Sequence, residues 1–344
     1  MIRTLLPLSA LITLATPALA TDPAPSPALA PSEIVAAAPK AEWVAIPATD
    51  LLVMDLAPPA RGPGQASAKA KPRRVVIQLM PPPFSQGWIG NIRKLAAAHW
   101  WDGLSVNRVQ DNYVAQWGDA DGDDKAKARA LPGGLALVPE KNYLTFSSSE
   151  IFYTIRTLKV PTSPQFKDAY APLTAFVRGW PVGINDSGYR FKGRIPKGVV
   201  ADPPPPPAVW PVHCYGMVGV GRDLPPNAGT GAELYTVIGH APRHLDRNIA
   251  LVGRVIEGIE HLSSLPRGTG ALGFYETAAE RTQINSVRLG SAVPALPAYE
   301  YLSTESATFA KYAYARANRR DPFFIKPAGG ADICNIPVPV RRAK

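Results

Sequence analysis

The sequence predicts a mainly β protein, a closed β-barrel capped by helices, and three observations favour this fold class. Short runs of β-branched and apolar residues recur along the chain at strand length. One helical pattern follows the second of these runs and another precedes the last, which is typical of a capped barrel. The composition, 46% hydrophobic and 19% charged, fits a globular chain and argues against disorder.

The strand pattern recurs in short segments that are β-branched or apolar over most of their length. Two segments lie before the first helical pattern, two follow it, and the others lie in the second half of the chain. These segments are residues 51–56, 74–79, 104–109, 113–116, 216–221, 234–238, 250–255 and 283–287.

Two segments predict the helices. Residues 85–101 place Trp88, Ile92 and Leu95 at helical spacing, and Ser85 is positioned as an N-cap. Residues 256–265 carry a second, shorter helical pattern just before the last strand. We expect both helices to cap the barrel.

The first twenty residues predict a cleaved secretory signal peptide. Arg3 supplies a positive charge, residues 4–16 are uncharged and mostly apolar, and residues 18–20 read ALA, a small-x-small cleavage pattern. The apolar stretch is too short to span a bilayer, and no later segment reaches the roughly 18 apolar residues that a spanning helix needs. We expect cleavage after Ala20, a periplasmic location and no stable membrane insertion; an uncleaved membrane anchor is the alternative.

The remaining chain divides by composition. Residues 21–42 are rich in proline and alanine and predict a flexible lead-in to a domain at residues 43–294. Residues 295–344 form a C-terminal extension with an amphipathic run and a basic, proline-rich tail.

A long insert at about residues 120–213 interrupts the strand pattern, and we expect it to be α-helical and irregular. It contains a helical pattern at residues 147–158 and closes with five prolines, residues 203–207, which predict polyproline II. Structureless loops of this length are uncommon in compact domains. We therefore expect the insert to have a function of its own, such as binding an envelope partner.

The formal net charge of +10 suggests an anionic partner, so the distribution of charge matters. The basic loop at residues 57–71 has no aromatic residue on which a base could stack, which argues against nucleic-acid binding. The basic tail leaves open a structural protein of the envelope that touches anionic surfaces.

Two blocks of residues resemble the cyclophilin family. In the first, residues 75–79 (VVIQL) precede the helix, and residues 101–109 (WDGLSVNRV) and 116–119 (QWGD) resemble its aromatic-Asp-Gly turn, Phe-His-Arg-Val and Gln-Gly-Gly-Asp. The second block contains, in the family's order, residues 216–223 (GMVGVGRD), 231–235 (GAELY), 244–246 (HLD) and 252–258 (VGRVIEG). The resemblance implies a closed, eight-stranded antiparallel cyclophilin-like barrel capped by two helices.

The resemblance also implies the activity of a peptidyl-prolyl cis-trans isomerase on proline-containing polypeptides. Rotation about an X–Pro amide has a barrier near 20 kcal/mol but breaks no bond, so neither a cofactor nor a metal is expected. By resemblance, Arg108 is the catalytic arginine that polarises the prolyl amide, and Gln116 orients the substrate. The substrate-binding positions that match the family are Tyr113, Val114, Gly221, Glu233, Tyr235, His244, Leu245 and Ile249.

Several pocket residues depart from the family pattern. Glu233 replaces a glutamine, Tyr235 a phenylalanine, and Asn107 the histidine before the arginine. The carboxylate of Glu233 is expected either to pair with Arg108 and hold it, or to draw it away from the substrate. His244 replaces the tryptophan associated with cyclosporin binding. These changes predict a modest isomerase with weak cyclosporin binding, and they keep open a non-catalytic proline-peptide-binding or scaffold module of the cell envelope.

The two cysteines, Cys214 and Cys334, are candidates for one disulfide in an oxidising compartment, and two unpaired thiols are the alternative. No metal site is expected. The acidic run at residues 119–124 fails the EF-hand pattern, and a proline between His240 and His244 argues against a helix that presents both to zinc.

Overall fold

The computed structural model describes residues 27–58, 73–146, 168–185 and 208–343. Within these residues, the chain forms three β-sheets, one of them a closed barrel, and four α-helices. Four predicted features lie outside them: the signal peptide, most of the basic loop, the helical pattern at residues 147–158 and the five-proline run.

Strands and helices are numbered in chain order. The strands are β1 (Trp43–Ile46), β2 (Leu51–Leu56), β3 (Arg73–Leu79), β4 (Ser105–Val109), β5 (Val114–Gly118), β6 (Thr145–Phe146), β7 (Leu173–Val177), β8 (Trp180–Asn185), β9 (Ala208–Pro211), β10 (Met217–Val220), β11 (Leu234–Val237), β12 (Leu251–Glu257), β13 (Thr282–Leu289), β14 (Tyr299–Leu302) and β15 (Val340–Arg342). The helices are α1 (Pro31–Ala36), α2 (Gln86–Ala97), α3 (Glu260–Ser263) and α4 (Ala307–Ala317).

Eight antiparallel strands close the barrel in the order β10, β11, β5, β4, β13, β2, β3 and β12, and β12 pairs back onto β10. Each of the eight segments with a strand pattern contributes one of these strands, so the predicted barrel is confirmed. In β2, Leu52 and Met54 face the barrel core, whereas Leu51 belongs to a second apolar cluster with Val76 and Tyr299. Both faces of β2 are therefore buried, which explains its nearly continuous apolar sequence.

Helix α2 packs against β13, with Trp88, Ile92 and Leu95 buried as their spacing predicts. Ser85 precedes the helix, but its backbone is left-handed and its side chain makes no capping hydrogen bond within the described residues. The second helix is shorter than expected, because residues 256 and 257 continue β12 and Gly258, with a φ of +84°, ends that strand. No helix in the described ranges is long and apolar enough to cross a membrane.

Part of the described insert is a β-sheet, which the sequence did not predict, whereas residues 120–139 are irregular as expected. Its four strands run in the order β6, β9, β8 and β7, all antiparallel. Arg178 and Gly179 form the two-residue turn between β7 and β8, and both have positive φ angles. A two-residue turn of this kind matches the right-handed twist of the strands that it joins.

The lead-in and the extension fold together, which corrects the expected flexible lead-in over its described part. Helix α1, within residues 21–42, packs against α4 of the extension. Strand β14 lies between β1 and β15 in a three-stranded sheet. The segments on both sides of the expected domain boundaries, at residues 43 and 294, therefore form one ordered region. This region joins the two ends of the described chain.

Two contacts attach the additions to the barrel. Cys214, just before β10, and Cys334 of the extension form a disulfide with an S–S distance of 2.02 Å. Arg254 of β12 donates to the carbonyl of Gly179 in the insert at 2.8 Å and stacks on Trp180, 4.5 Å from the ring centre. The guanidinium also lies 5.8 Å from the ring centre of Tyr301 in β14, so one buried side chain contacts the insert and the extension.

Candidate active site

A cavity of about 640 Å³ opens at the barrel surface beside β4, β5 and β11. With the exception of His244, every catalytic or substrate-binding residue predicted from the sequence lines this cavity. These residues are Arg108, Tyr113, Val114, Gln116, Gly221, Glu233, Tyr235, Leu245 and Ile249.

Arg108 and Gln116 face each other because β4 and β5 are neighbouring antiparallel strands that pair these two positions. The Nη1 of Arg108 donates to Gln116 Oε1 at 3.2 Å, and its Nη2 donates to Gln110 Oε1. Its Nε donates to the carbonyl oxygen of Leu272 at 2.8 Å. Three hydrogen bonds therefore fix the plane of the guanidinium at the edge of the cavity.

Two aromatic rings flank the Arg108 guanidinium. Its central carbon lies 5.7 Å from the ring centre of Tyr113 and 5.3 Å from that of Phe274, within the range of cation–π attraction. Burial lowers the pKa of Arg108 from its usual value. Sequence reasoning missed Phe274 and Leu272; the glycine-rich segment that contains Leu272 and directly precedes Phe274, residues 268–273, was the available signal.

Glu233 lies in the polar half of the cavity. Its Oε1 accepts a 2.6 Å hydrogen bond from the N–H of Asp119, and the side chains of Asn107 and Gln116 also stabilise the charged carboxylate. Desolvation by burial raises the pKa of Glu233 to about 7, although these hydrogen bonds act in the opposite direction. A Cβ at Gly118 would lie 2.0 Å from this oxygen, so the carboxylate needs a glycine there.

No hydrogen bond or salt bridge joins Glu233 to Arg108 among the described residues, so the ion pair that we considered between them is not formed. The described partners of Arg108 are neutral oxygens and aromatic rings. Gln116 lies between the two, because it accepts from Arg108 and stabilises the charged form of Glu233.

The opposite half of the cavity is apolar. Val114 and Tyr235 form a buried cluster, and Tyr113 and Ile249 pack against it. His244 lies at the rim, where its ring stacks on Tyr113 with the centres 6.4 Å apart and the planes inclined by 11°. The predicted pocket residues therefore form a continuous apolar surface beside the guanidinium.

The hydroxyl of Tyr235 points out of this surface toward a residue that sequence reasoning missed. It lies 2.9 Å from Nε2 of His213, which is fully buried. The available signal was the tyrosine itself, since a buried hydroxyl needs a hydrogen-bonding partner.

The arrangement suits the binding of an apolar ring next to a fixed cation and an amide side chain. Hydrogen-bond donors and an apolar surface share one cavity, so a ligand that has a ring and an amide can contact both. Among the described residues, no group of three or more His, Cys, Asp or Glu side chains is arranged to hold a metal ion.

Comparisons with known proteins agree with this geometry. A family model described as "Cyclophilin type peptidyl-prolyl cis-trans isomerase/CLD" matches residues 85–289. The chain is similar to the crystal structure of cyclophilin AquaCyp293 from Hirschia baltica, with a TM-score of 0.59 and 17% identity, over 88% of this chain and 94% of that one. At this identity, the likeness shows the fold.

A second similar structure is a Cryptosporidium parvum cyclophilin type peptidyl-prolyl cis-trans isomerase, determined in the presence of the dipeptide Ala-Pro. It has a TM-score of 0.33 and 10% identity, and the match covers 63% of this chain and 92% of that one. No curated protein matches the sequence. The family match covers more than half of the chain and contains the strands that form the cavity. The chain therefore belongs to the cyclophilin-type peptidyl-prolyl cis-trans isomerases.

Proposed function

We propose that this enzyme isomerises X–Pro bonds of exported proteins, with Arg108 polarising the prolyl amide and Gln116 orienting the substrate. The observation that carries the proposal is the position of the Arg108 guanidinium, fixed between two rings at the edge of an apolar cavity. The apolar half of the cavity offers a surface for the proline ring.

The state of the guanidinium supports this role. Arginine has five N–H donors, and three of those in Arg108 are bonded within the described residues. The other two have no partner within the described part of the chain, so a substrate can accept from them. As the X–Pro bond twists, the nitrogen lone pair localises, and an N–H directed at that nitrogen stabilises the twisted state more than either planar state.

Two features support the proposal that the substrates are exported proteins and that the enzyme is periplasmic. The first is the secretory pattern of residues 1–20. The second is the disulfide between Cys214 and Cys334, because disulfides persist in oxidising compartments. Expression of the full chain in a bacterial host, followed by fractionation and N-terminal sequencing, tests this: we expect a periplasmic product beginning at Thr21, and a cytoplasmic, uncleaved product would contradict it.

The catalytic proposal is tested by NMR exchange spectroscopy on a short X–Pro peptide, without a protease. We expect the wild-type protein to accelerate cis-trans exchange and Arg108→Ala to reduce kcat/KM by roughly 100-fold, the size of effect found when one preorganised donor is removed. Arg267→Ala is the matched control, because Arg267 pairs with Asp111 outside the cavity.

The outcomes separate the candidate functions. Equal loss of activity in both arginine variants would indicate a general effect of charge and contradict the role of Arg108. Binding of several X–Pro peptides without any acceleration of exchange would instead favour the non-catalytic proline-peptide-binding module.

A further inference from the structure

Tyr235, which forms part of the apolar half of the cavity, is itself held in place by a chain of buried polar groups. The hydroxyl of Tyr235 bonds His213 at 2.9 Å, and His213 Nδ1 bonds Asp246 Oδ1 at 2.9 Å. Asp246 Oδ2 accepts from Arg243 Nε at 2.6 Å, and Arg243 Nη1 donates to Asp168 Oδ2 at 2.6 Å. We call these five residues the buried hydrogen-bond chain.

The buried hydrogen-bond chain joins parts of the molecule that are distant in sequence. Tyr235 belongs to β11 of the barrel, whereas Asp168 lies in the insert just before β7. His213 directly precedes Cys214, whose disulfide leads to the extension. The side chains of His213, Arg243 and Asp168 are at most 2% exposed, so water does not compete for these bonds.

The chemistry of the groups fixes the direction of each hydrogen bond. A carboxylate only accepts, so His213 Nδ1 carries the proton that is shared with Asp246. Burial lowers the pKa of His213, although its bond to Asp246 raises it, and the ring is therefore neutral. In a neutral imidazole the other nitrogen accepts, and the Tyr235 hydroxyl must donate to it.

A glycine makes room for this arrangement. A Cβ at Gly219, on the neighbouring strand β10, would lie 2.3 Å from both the hydroxyl oxygen of Tyr235 and the ring carbon that bears it. The hydroxyl end of the Tyr235 ring therefore occupies the space that the missing side chain of Gly219 leaves free, and there it contacts His213. The hydroxyl proton is held outside the cavity, and the face that Tyr235 presents to a ligand is apolar.

We propose that His213 is a positioning residue for isomerisation: by accepting the Tyr235 hydroxyl bond, it sets the position of the proline-pocket surface, and the insert supports it through Asp246, Arg243 and Asp168. The inference rests on the proposed function, since it assumes that the substrate proline binds in this cavity. The insert is thereby part of the support of the active site.

The proposal is tested with a double-mutant cycle in the exchange assay, with His213→Phe, Tyr235→Phe and the double variant. His213→Phe keeps a ring in the buried site but leaves the Tyr235 hydroxyl without an acceptor. The unsatisfied hydroxyl favours a shift of the Tyr235 ring toward another acceptor, and we expect kcat/KM to fall by roughly tenfold. Tyr235→Phe removes the same hydrogen bond from its other end and keeps the apolar ring.

The double variant decides between positioning and general damage. It has no orphan hydroxyl, so we expect its activity to lie within about threefold of that of Tyr235→Phe, because His213 acts through a bond that Tyr235→Phe has already removed. A double variant much slower than Tyr235→Phe would overturn the proposal, and so would a His213→Phe variant with wild-type activity.

A measurement on the wild-type protein makes the test independent of how the variants fold. We expect a slowly exchanging hydroxyl proton in the ¹H NMR spectrum, assigned to Tyr235 by its loss in Tyr235→Phe. Absence of this signal would overturn the hydrogen bond on which the proposal rests. If the wild type does not accelerate exchange, the proposed function fails by itself, and the affinity of the variants for the same X–Pro peptide then tests the positioning role.

The contribution of the insert is tested with Asp168→Asn. This change removes the charge that pairs with Arg243 and keeps the size of the side chain. We expect a rise in KM for the X–Pro peptide and a faster exchange of the Tyr235 hydroxyl proton. If KM and the hydroxyl proton signal both stay unchanged, the insert does not support the pocket.

Discussion

Two arginines of the barrel, Arg108 and Arg254, each donate a hydrogen bond to a glutamine side chain, but they lie in different regions of the molecule. At the cavity, Arg108 donates to the side-chain oxygen of Gln116 at 3.2 Å. On another part of the barrel, Arg254 donates to the side-chain oxygen of Gln78 from Nε at 2.9 Å and from Nη2 at 2.7 Å. Each guanidinium also lies within 6 Å of two aromatic rings.

The difference lies in what surrounds each pair. Gln78 and Arg254 are 5% and 7% exposed, and they are covered by the insert and the extension. Burial lowers the pKa of Arg254 to about 10. Arg108 is half-buried and faces an open cavity. An arginine–glutamine pair between aromatic rings can therefore be structural or functional, and access for a ligand distinguishes the two.

The largest effect that we expect is on the structural pair. Arg254→Met leaves Gln78 Oε1 and the Gly179 carbonyl without their donor, and two such buried acceptors cost about 3 kcal/mol of unfolding free energy. Urea denaturation measures this loss, and the kcat/KM of the folded fraction should be unchanged. A stable but inactive variant would contradict this assignment, because it would give Arg254 a functional role.

A matched double variant tests the structural role of the Arg254–Gln78 pair in a second way. Arg254→Met with Gln78→Leu replaces both partners by apolar groups, so about half of the lost stability should return, because only the Gly179 carbonyl still lacks its donor. No recovery would mean that the Gly179 carbonyl or the stacking on Trp180 accounts for the loss.

A smaller effect is expected at the functional pair. Arg108→Lys keeps the charge but loses the planar donor group, and we expect kcat/KM to fall by about tenfold with little change in stability. The exchange assay and urea denaturation measure the two quantities. Full activity in this variant would show that charge alone is sufficient. It would contradict the proposal that an N–H of Arg108 is directed at the prolyl nitrogen.

The smallest effect concerns Glu233, which has no counterpart beside Arg254. Its pKa is raised from 4.5 to about 7, so its protonated form stabilises the fold below pH 4.5 and this contribution is lost as the pH rises through 7. Above pH 7 a negative charge appears beside Gln116. We expect kcat/KM to decrease by about threefold from pH 6 to pH 8, since the charge attracts Arg108 away from the substrate.

Glu233→Gln removes the titrating group and restores the residue that is usual in the family. We expect its kcat/KM to be independent of pH over the same range and to equal or exceed the wild-type value. A pH dependence that survives in this variant would assign the titration to another group.

The barrel and the cavity were predictable because their sequence signals are local. The barrel strands contain short β-branched or apolar runs, and Arg108 and Gln116 occur in motifs that carry their own spacing. The cavity follows from strand pairing, which brings Tyr113, Val114 and Tyr235 together once the strand order is known.

The rest depends on contacts between distant segments. The sheet of the insert contains strands interrupted by long connections, and its clearest local signal, the two-residue turn at Arg178 and Gly179, was overlooked. Helix α1 is only six residues long and is stabilised by packing on α4, which its own sequence does not reveal. His213 lies 22 residues before Tyr235, and no spacing rule joins them.

The three-stranded sheet constrains the order in which the protein can assemble during synthesis. Strand β1 pairs with β14, which is made some 250 residues later on the ribosome, and β14 in turn pairs with β15. Until then Trp43 and Ile46, both buried in the finished protein, have no partner strand. The early segment must therefore remain unpaired while the barrel strands emerge, and the sheet is completed last.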